Sequence, residues 1–78
     1  MVSMGIESAT RSASQLGRRA YITRKKWVDG KKYSDMPFIK PTNSPACCEF
    51  WIGNKLQSTR WNPKSEDLIA QDWAVVIK

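Results

Sequence analysis

The chain has 78 residues, a formal net charge of +6, two cysteines and no histidine, which confines it to one small domain, residues 1–78, whose core covers only about 60% of the unfolded surface. Cys47 and Cys48 are adjacent, and neighbours rarely have the geometry for a mutual disulfide; without histidine they also make no four-ligand zinc site. Neither a disulfide framework nor a metal is expected, no stretch reaches the ~20 apolar residues that span a bilayer, and self-association is the favoured source of extra stability.

Ile6, Ala9, Thr10, Ala13 and Leu16 recur at three- and four-residue steps, which predicts an amphipathic helix over about 4–16 stopped by Gly17. Its three serines lower helix propensity, so it needs a sheet or a partner subunit to dock on. Residues 19–24 alternate as a strand, with Ala20 and Ile22 on one face and Tyr21 and Thr23 on the other. Asp29-Gly30 marks a turn. Pro37, Pro41 and Pro45 argue against a regular helix or a central strand over 35–45 and suggest an irregular loop around an extended Phe38-Ile39-Lys40. Residues 47–52 read as a strand with one cysteine thiol buried and one exposed. Gly53-Asn54 fits a tight hairpin turn and residues 55–60 return antiparallel.

Asn62 suits an N-cap and Pro63 the first helical position. Glu66 and Asp67 then face the positive end of a short helix, while Leu68, Ile69 and Trp73 supply its apolar face. Residues 73–77 are β-branched and aromatic and form the last strand. The fold class is α+β: an N-terminal amphipathic helix packed on a small, mainly antiparallel β-sheet, with a short C-terminal helix before the last strand.

The charge is uneven. Residues 1–40 carry nine Lys/Arg against three acids, and residues 41–78 four of each. Such an excess attracts anions without choosing among nucleotides, phosphates and nucleic acid, and it also serves plain solubility. No catalytic constellation emerges; Glu66 and Asp67 are neighbours that point in different directions on a helix, so the chain is expected not to be an enzyme. The group Arg24-Lys25-Lys26-Trp27 joins cations to an aromatic, which is what a nucleotide needs: a π-face for the base and charge-assisted donors for phosphates. From the residues alone, Trp27 covering the sheet beside solvated cations remains open. Trp51, Trp61 and Trp73 read as packing residues.

Two blocks carry a resemblance. At the C-terminal end, Trp61-Asn62-Pro63-Lys64-Ser65-Glu66-Asp67-Leu68-Ile69-Ala70-Gln71-Asp72-Trp73 resembles the signature of the phage anti-Thoeris signal-sponge family of the second type, with Lys64 between Pro63 and Ser65 and Gln71 where an acid is common. Upstream, Leu16-Gly17-Arg18-Arg19 followed by a strand closing on Arg24-Lys25-Lys26-Trp27 is similar to the family's helix end and Arg-x-x-Trp strand. The resemblance implies a phage-encoded homo-oligomer, dimer or tetramer, in the host cell cytoplasm. It implies binding of cyclised ADP-ribose, and in some members cyclic dinucleotides, in pockets between subunits, without a cofactor and without cleaving the ligand. Carried onto this chain, the ligand-binding residues are Arg24, Lys26, Trp27, Ser65 and Asp67, the last two as polar contacts to ribose or base edges. Two other expectations stay beside it: a small basic single-stranded nucleic-acid-binding protein, and an inhibitor that covers a host protein with its Trp-bearing hairpin.

Overall fold

A computed structural model describes residues 4–17, 19–42 and 48–78. Helix α1, Ile6–Leu16, ends at Gly17, which adopts φ 93. This conformation suits a residue without a side chain and lets the chain turn out of the helix. Strand β1, Ala20–Arg24, runs into a one-turn helix α2, Lys25–Val28. A 3-10 turn at Tyr33–Asp35 leads into β2, Pro37–Lys40. The hairpin β3, Glu49–Ile52, and β4, Lys55–Ser58, follows, then α3, Ser65–Ile69, and β5, Trp73–Ile77.

The five strands form one sheet in the order β4-β3-β2-β1-β5 with every neighbouring pair antiparallel. The fold class read from the sequence is therefore the one observed. Because residues alternate across the pleat, Ile22, Ile39 and Phe50, in register across β1, β2 and β3, share one face. That face meets α1 through Ala9 and Ala13, and Ala20, Ile22, Ile39 and Trp73 complete the buried core. Alanines on the helix let it lie close to the sheet. Met4 bonds Trp73 in both directions, N–H to carbonyl, at 2.9 Å each, and so fixes the entry to α1.

Four expectations are corrected. Within the segment expected as an irregular loop, Phe38-Ile39-Lys40 is extended as anticipated but belongs to β2, Pro37–Lys40, the middle strand of the sheet, where a central strand was not expected; residues 43–45 lie outside the described residues. Pro37 is tolerated as the first residue of β2, where no ladder donor is required, and Phe38 and Ile39 are buried. The C-terminal helix starts at Ser65 rather than Pro63, because Asp67 accepts the Lys64 N–H at 3.0 Å and so caps it later than Asn62 would. Its Leu68 and Ile69, expected on the apolar face, are 51% and 76% exposed, while Asp67 is the buried residue. Cys48 is disulfide-bonded rather than a reduced thiol; Cys47 and the expectation of one buried and one exposed thiol lie outside the described residues.

Gly53 in the β3–β4 turn has φ 57, and a Cβ there would sit 3.0 Å from the Ser34 Cα and 3.1 Å from its carbonyl oxygen. Backbone cannot yield as a flexible side-chain end would. Gly53→Ala is expected to lower stability by about 1–3 kcal/mol, read as a drop in the urea midpoint; an unchanged midpoint would remove this close approach as a constraint on the hairpin.

Candidate functional site

The Lys-Lys-Trp-Val sequence of α2 contains no local capping residue, and the helix has no side-chain cap of its own. Its first donors are satisfied from across the fold. The Asp72 carbonyl accepts the Lys25 N–H at 3.0 Å, and the Asp72 carboxylate accepts the Lys26 N–H at 3.2 Å. The same carboxylate accepts Arg24 Nε–H at 2.8 Å, while Arg24 Nη1 donates to Asp67 Oδ1 at 3.0 Å. Arg24 thus ties together the residue that caps α2 and the residue that caps α3. It does so while only 8% exposed, with Asp67 at 6%. Cation and carboxylates must supply one another's missing solvation at that depth.

The protonation behaviour follows from these contacts. Arg24 is held above the ordinary guanidinium range, chiefly by its hydrogen bond to Asp72 and further by Asp67, against the opposing effect of burial. For Asp72, burial pulls upward, but the Arg24 hydrogen bond and charge and the Lys26 amide outweigh it and hold the carboxyl below its usual value. A carboxylate depressed in the folded state contributes stability that is present above its unfolded value and is lost as pH falls through the folded value. Urea midpoints are therefore expected to hold steady above about pH 5 and to fall as pH drops below about 4. Asp72→Asn should flatten that fall; an equally steep fall in the variant would place the acid sensitivity elsewhere.

Trp27 lies against this junction. Its ring packs edge-to-face on Trp73 at 5.1 Å and on Trp61 at 6.1 Å, and Trp61 meets Trp73 at 5.9 Å. Trp73 is fully buried, and its indole N–H donates to the Asp67 carbonyl at 2.8 Å, joining the aromatic cluster to the ion pairs. Trp27 is only half-buried. On the outer side of α2, Lys25, Lys26, Val28, Asp29, Gly30 and Asp72 line a cleft of about 650 Å³, within the size range of small-ligand sites.

Of the residues singled out in the sequence, Arg24 and Asp67 are bonded to each other, and Trp27 reaches the same cluster through Trp73. Lys26 is exposed on the cleft with its ammonium 3.7 Å from Glu66, so α2 faces the first turn of α3. Ser65 stands in that first turn, exposed. All five therefore gather where α2 meets α3. Sequence reasoning did not single out Asp72, whose place in the Gln71-Asp72-Trp73 run was the available signal; Lys25 stood in the Arg24-Lys25-Lys26-Trp27 group but was not among the residues carried over as ligand-binding. Among the described residues no group of three or more His, Cys, Asp or Glu is arranged to hold a metal ion, and no helix is long and apolar enough to cross a membrane.

A five-stranded antiparallel sheet with one packed helix, and a cleft lined by lysines and aspartates along α2, define a small α+β domain. The chain belongs to the Thoeris anti-defense 2-like domain family, whose model matches residues 4–76. With that membership comes a phage anti-Thoeris role. No curated protein and no solved structure matches the chain.

Proposed function

We propose that the protein binds a cyclic nucleotide immune signal, cyclised ADP-ribose or a cyclic dinucleotide, and sequesters it uncleaved so that the host effector is not activated. The observation that carries this reading is the pairing of a lysine-lined cleft with a half-buried tryptophan on one helical turn. Lys25 and Lys26 face the phosphates, and the accessible part of Trp27 takes a base. Arg24 and Asp67, already bonded to each other, hold these groups in place, and the Ser65 hydroxyl contacts ribose or a base edge. The pocket is completed in a homo-oligomer in the host cytoplasm. Exposed Leu68 and Ile69, on the same short helix as Ser65, are the apolar surface that a second subunit covers.

The test is isothermal titration at physiological salt with cyclised ADP-ribose isomers and a panel of cyclic dinucleotides, followed by heat release and chromatography of the ligand. Saturable binding with fewer than one ligand per chain and intact recovered ligand is the expected result. Hydrolysed ligand would replace sequestration with catalysis. No heat from any ligand, together with affinity for oligonucleotides that rises with their length and falls with salt, would move the function to single-stranded nucleic acid.

A further inference from the structure

The sheet face opposite α1 holds a second concentration of aromatic and cationic groups that the site above does not use. Tyr21 on β1, Phe38 on β2 and Trp51 on β3 alternate away from the core residues Ile22, Ile39 and Phe50, and Phe38 and Trp51 are direct cross-strand partners. Their rings are mutually oriented: Tyr21 meets Trp51 edge-on at 5.8 Å and Phe38 at 6.4 Å. Tyr33, from the 3-10 turn, closes a further side at 5.7 Å from Phe38 and is held there by its hydroxyl donating to Asn54 Oδ1 at 2.8 Å. The result is a four-ring box on a rigid sheet.

That box is occupied from within. The Lys78 ammonium stands 4.3 Å from the Tyr21 centroid, 4.4 Å from Phe38, 5.5 Å from Trp51 and 5.6 Å from Tyr33. All four lie within the ~6 Å over which a cation is attracted to a ring face. The Gly53 carbonyl accepts one of its N–H groups. Glu49, which accepts the Trp51 indole N–H at 3.1 Å, adds negative potential beside the box. Burial lowers the Lys78 pKa, as expected of an ammonium withdrawn from water. A primary ammonium is a poor match for these walls. It brings three N–H donors and a tightly held hydration shell, and it meets one carbonyl and ring faces, with the Lys40 ammonium a second cation 4.9 Å from the Tyr21 centroid.

We propose that Tyr21, Tyr33, Phe38 and Trp51 form a recognition site for methylated ammonium groups, in which Lys78 is a tethered, displaceable occupant. A tertiary, dimethylated ammonium fits best. It keeps a single N–H for the Gly53 carbonyl and places its methyl groups against the rings, where they carry the charge at little cost in hydration. A quaternary ammonium fills the rings but leaves the carbonyl unpaired. Lys78 is covalently part of the chain and occupies the box intramolecularly, so an external ligand competes against it in the intact chain. The site stands independently of the nucleotide reading, since it shares no residue with the α2–α3 junction.

The test uses the full chain with Lys78→Ala. The Lys78 N–H donates to the Arg19 carbonyl and its own carbonyl accepts from Arg19 Nε, and neither contact involves the Lys78 side chain, so β5 stays tied down. N,N-dimethylbutylammonium, tetramethylammonium and butylammonium are titrated into wild type, Lys78→Ala and Lys78→Ala/Trp51→Leu, following the indole N–H resonances. The expected result is saturable binding to Lys78→Ala, in the order tertiary, quaternary, primary, at least tenfold weaker in wild type and lost in the double variant. Lys78→Ser serves the same titration should the alanine variant lose its fold. A folded Lys78 variant that binds none of the three, or binds equally without Trp51, overturns the site and leaves Lys78 a tether for β5 alone.

Discussion

Replacing Arg24 by methionine is expected to remove most of the stability of the domain. The side chain bonds Asp67 at 3.0 Å and Asp72 at 2.8 Å, and its loss strands a carboxylate at Asp67 whose side chain is 8% exposed. Breaking a buried ion pair by removing one partner costs about 3–5 kcal/mol, chiefly the energy of the charge left behind. A domain of this length has a net stability of only about 4–12 kcal/mol, so a large fraction of the variant should be unfolded at 37 °C. Thermal melting followed by far-ultraviolet circular dichroism measures it. The cause is separable from lost packing. Arg24→Met combined with Asp67→Asn and Asp72→Asn removes the stranded charges along with the cation, and replacing a whole buried ionic set is far milder than breaking one. The triple variant should therefore recover a substantial part of the loss. A single variant that loses less than about 1 kcal/mol would show that the carboxylates are solvated well enough without the arginine.

This network also explains where the sequence was and was not readable. Strand β5 and the stop of α1 at Gly17 were legible because their determinants are local: β-branched residues in one case, a glycine able to take positive φ in the other. Helix α2 was not. Its N–H groups are capped by Asp72, 46 residues downstream of Lys26, and no local pattern announces a cap supplied from another element. The same limit displaced the start of α3. Asn62-Pro63 is a good local beginning, but Asp67 is drawn into the Arg24 pair and caps Lys64 instead. For β2, three prolines argued against a central strand, and only Pro37 falls inside it, at the first position, where it does no harm.

The candidate site residues divide along the same line. Arg24, Trp27 and Asp67 could be picked from motif resemblance, and Trp73 as a core residue from its setting between a helix and a strand; it is fully buried. What sequence could not supply is the division of labour among them. Arg24 reads as a cation available to a phosphate, yet its depth and its two carboxylate partners make it the fixed point from which α2 is hung. The groups left facing outward are the neighbours it positions, Lys25 and Lys26.

Under the proposed sequestration, Trp27→Ala is expected to weaken binding of the cyclic nucleotide by roughly 5- to 150-fold, the equivalent of about 1–3 kcal/mol for one stacked base. The variant also disturbs packing, because Trp27 contacts Trp61 and Trp73 edge-to-face, and such pairs are worth about 0.5–1.5 kcal/mol each. Two features keep the consequences apart. The indole is half-buried and Trp73 beneath it is fully buried, so truncation widens the surface more than it opens the core. Trp27→Phe, in addition, retains an edge for Trp73 and a smaller π-face for the base, so it should restore most of the melting temperature while recovering only part of the affinity. For the proposed homo-oligomer, light scattering should show the same mass in both variants, since the apolar surface assigned to the subunit contact is on α3. Affinity that tracks melting temperature across the two variants would make Trp27 a packing residue. Affinity that stays low in a phenylalanine variant of normal stability would identify its ring as the surface on which the signal is held.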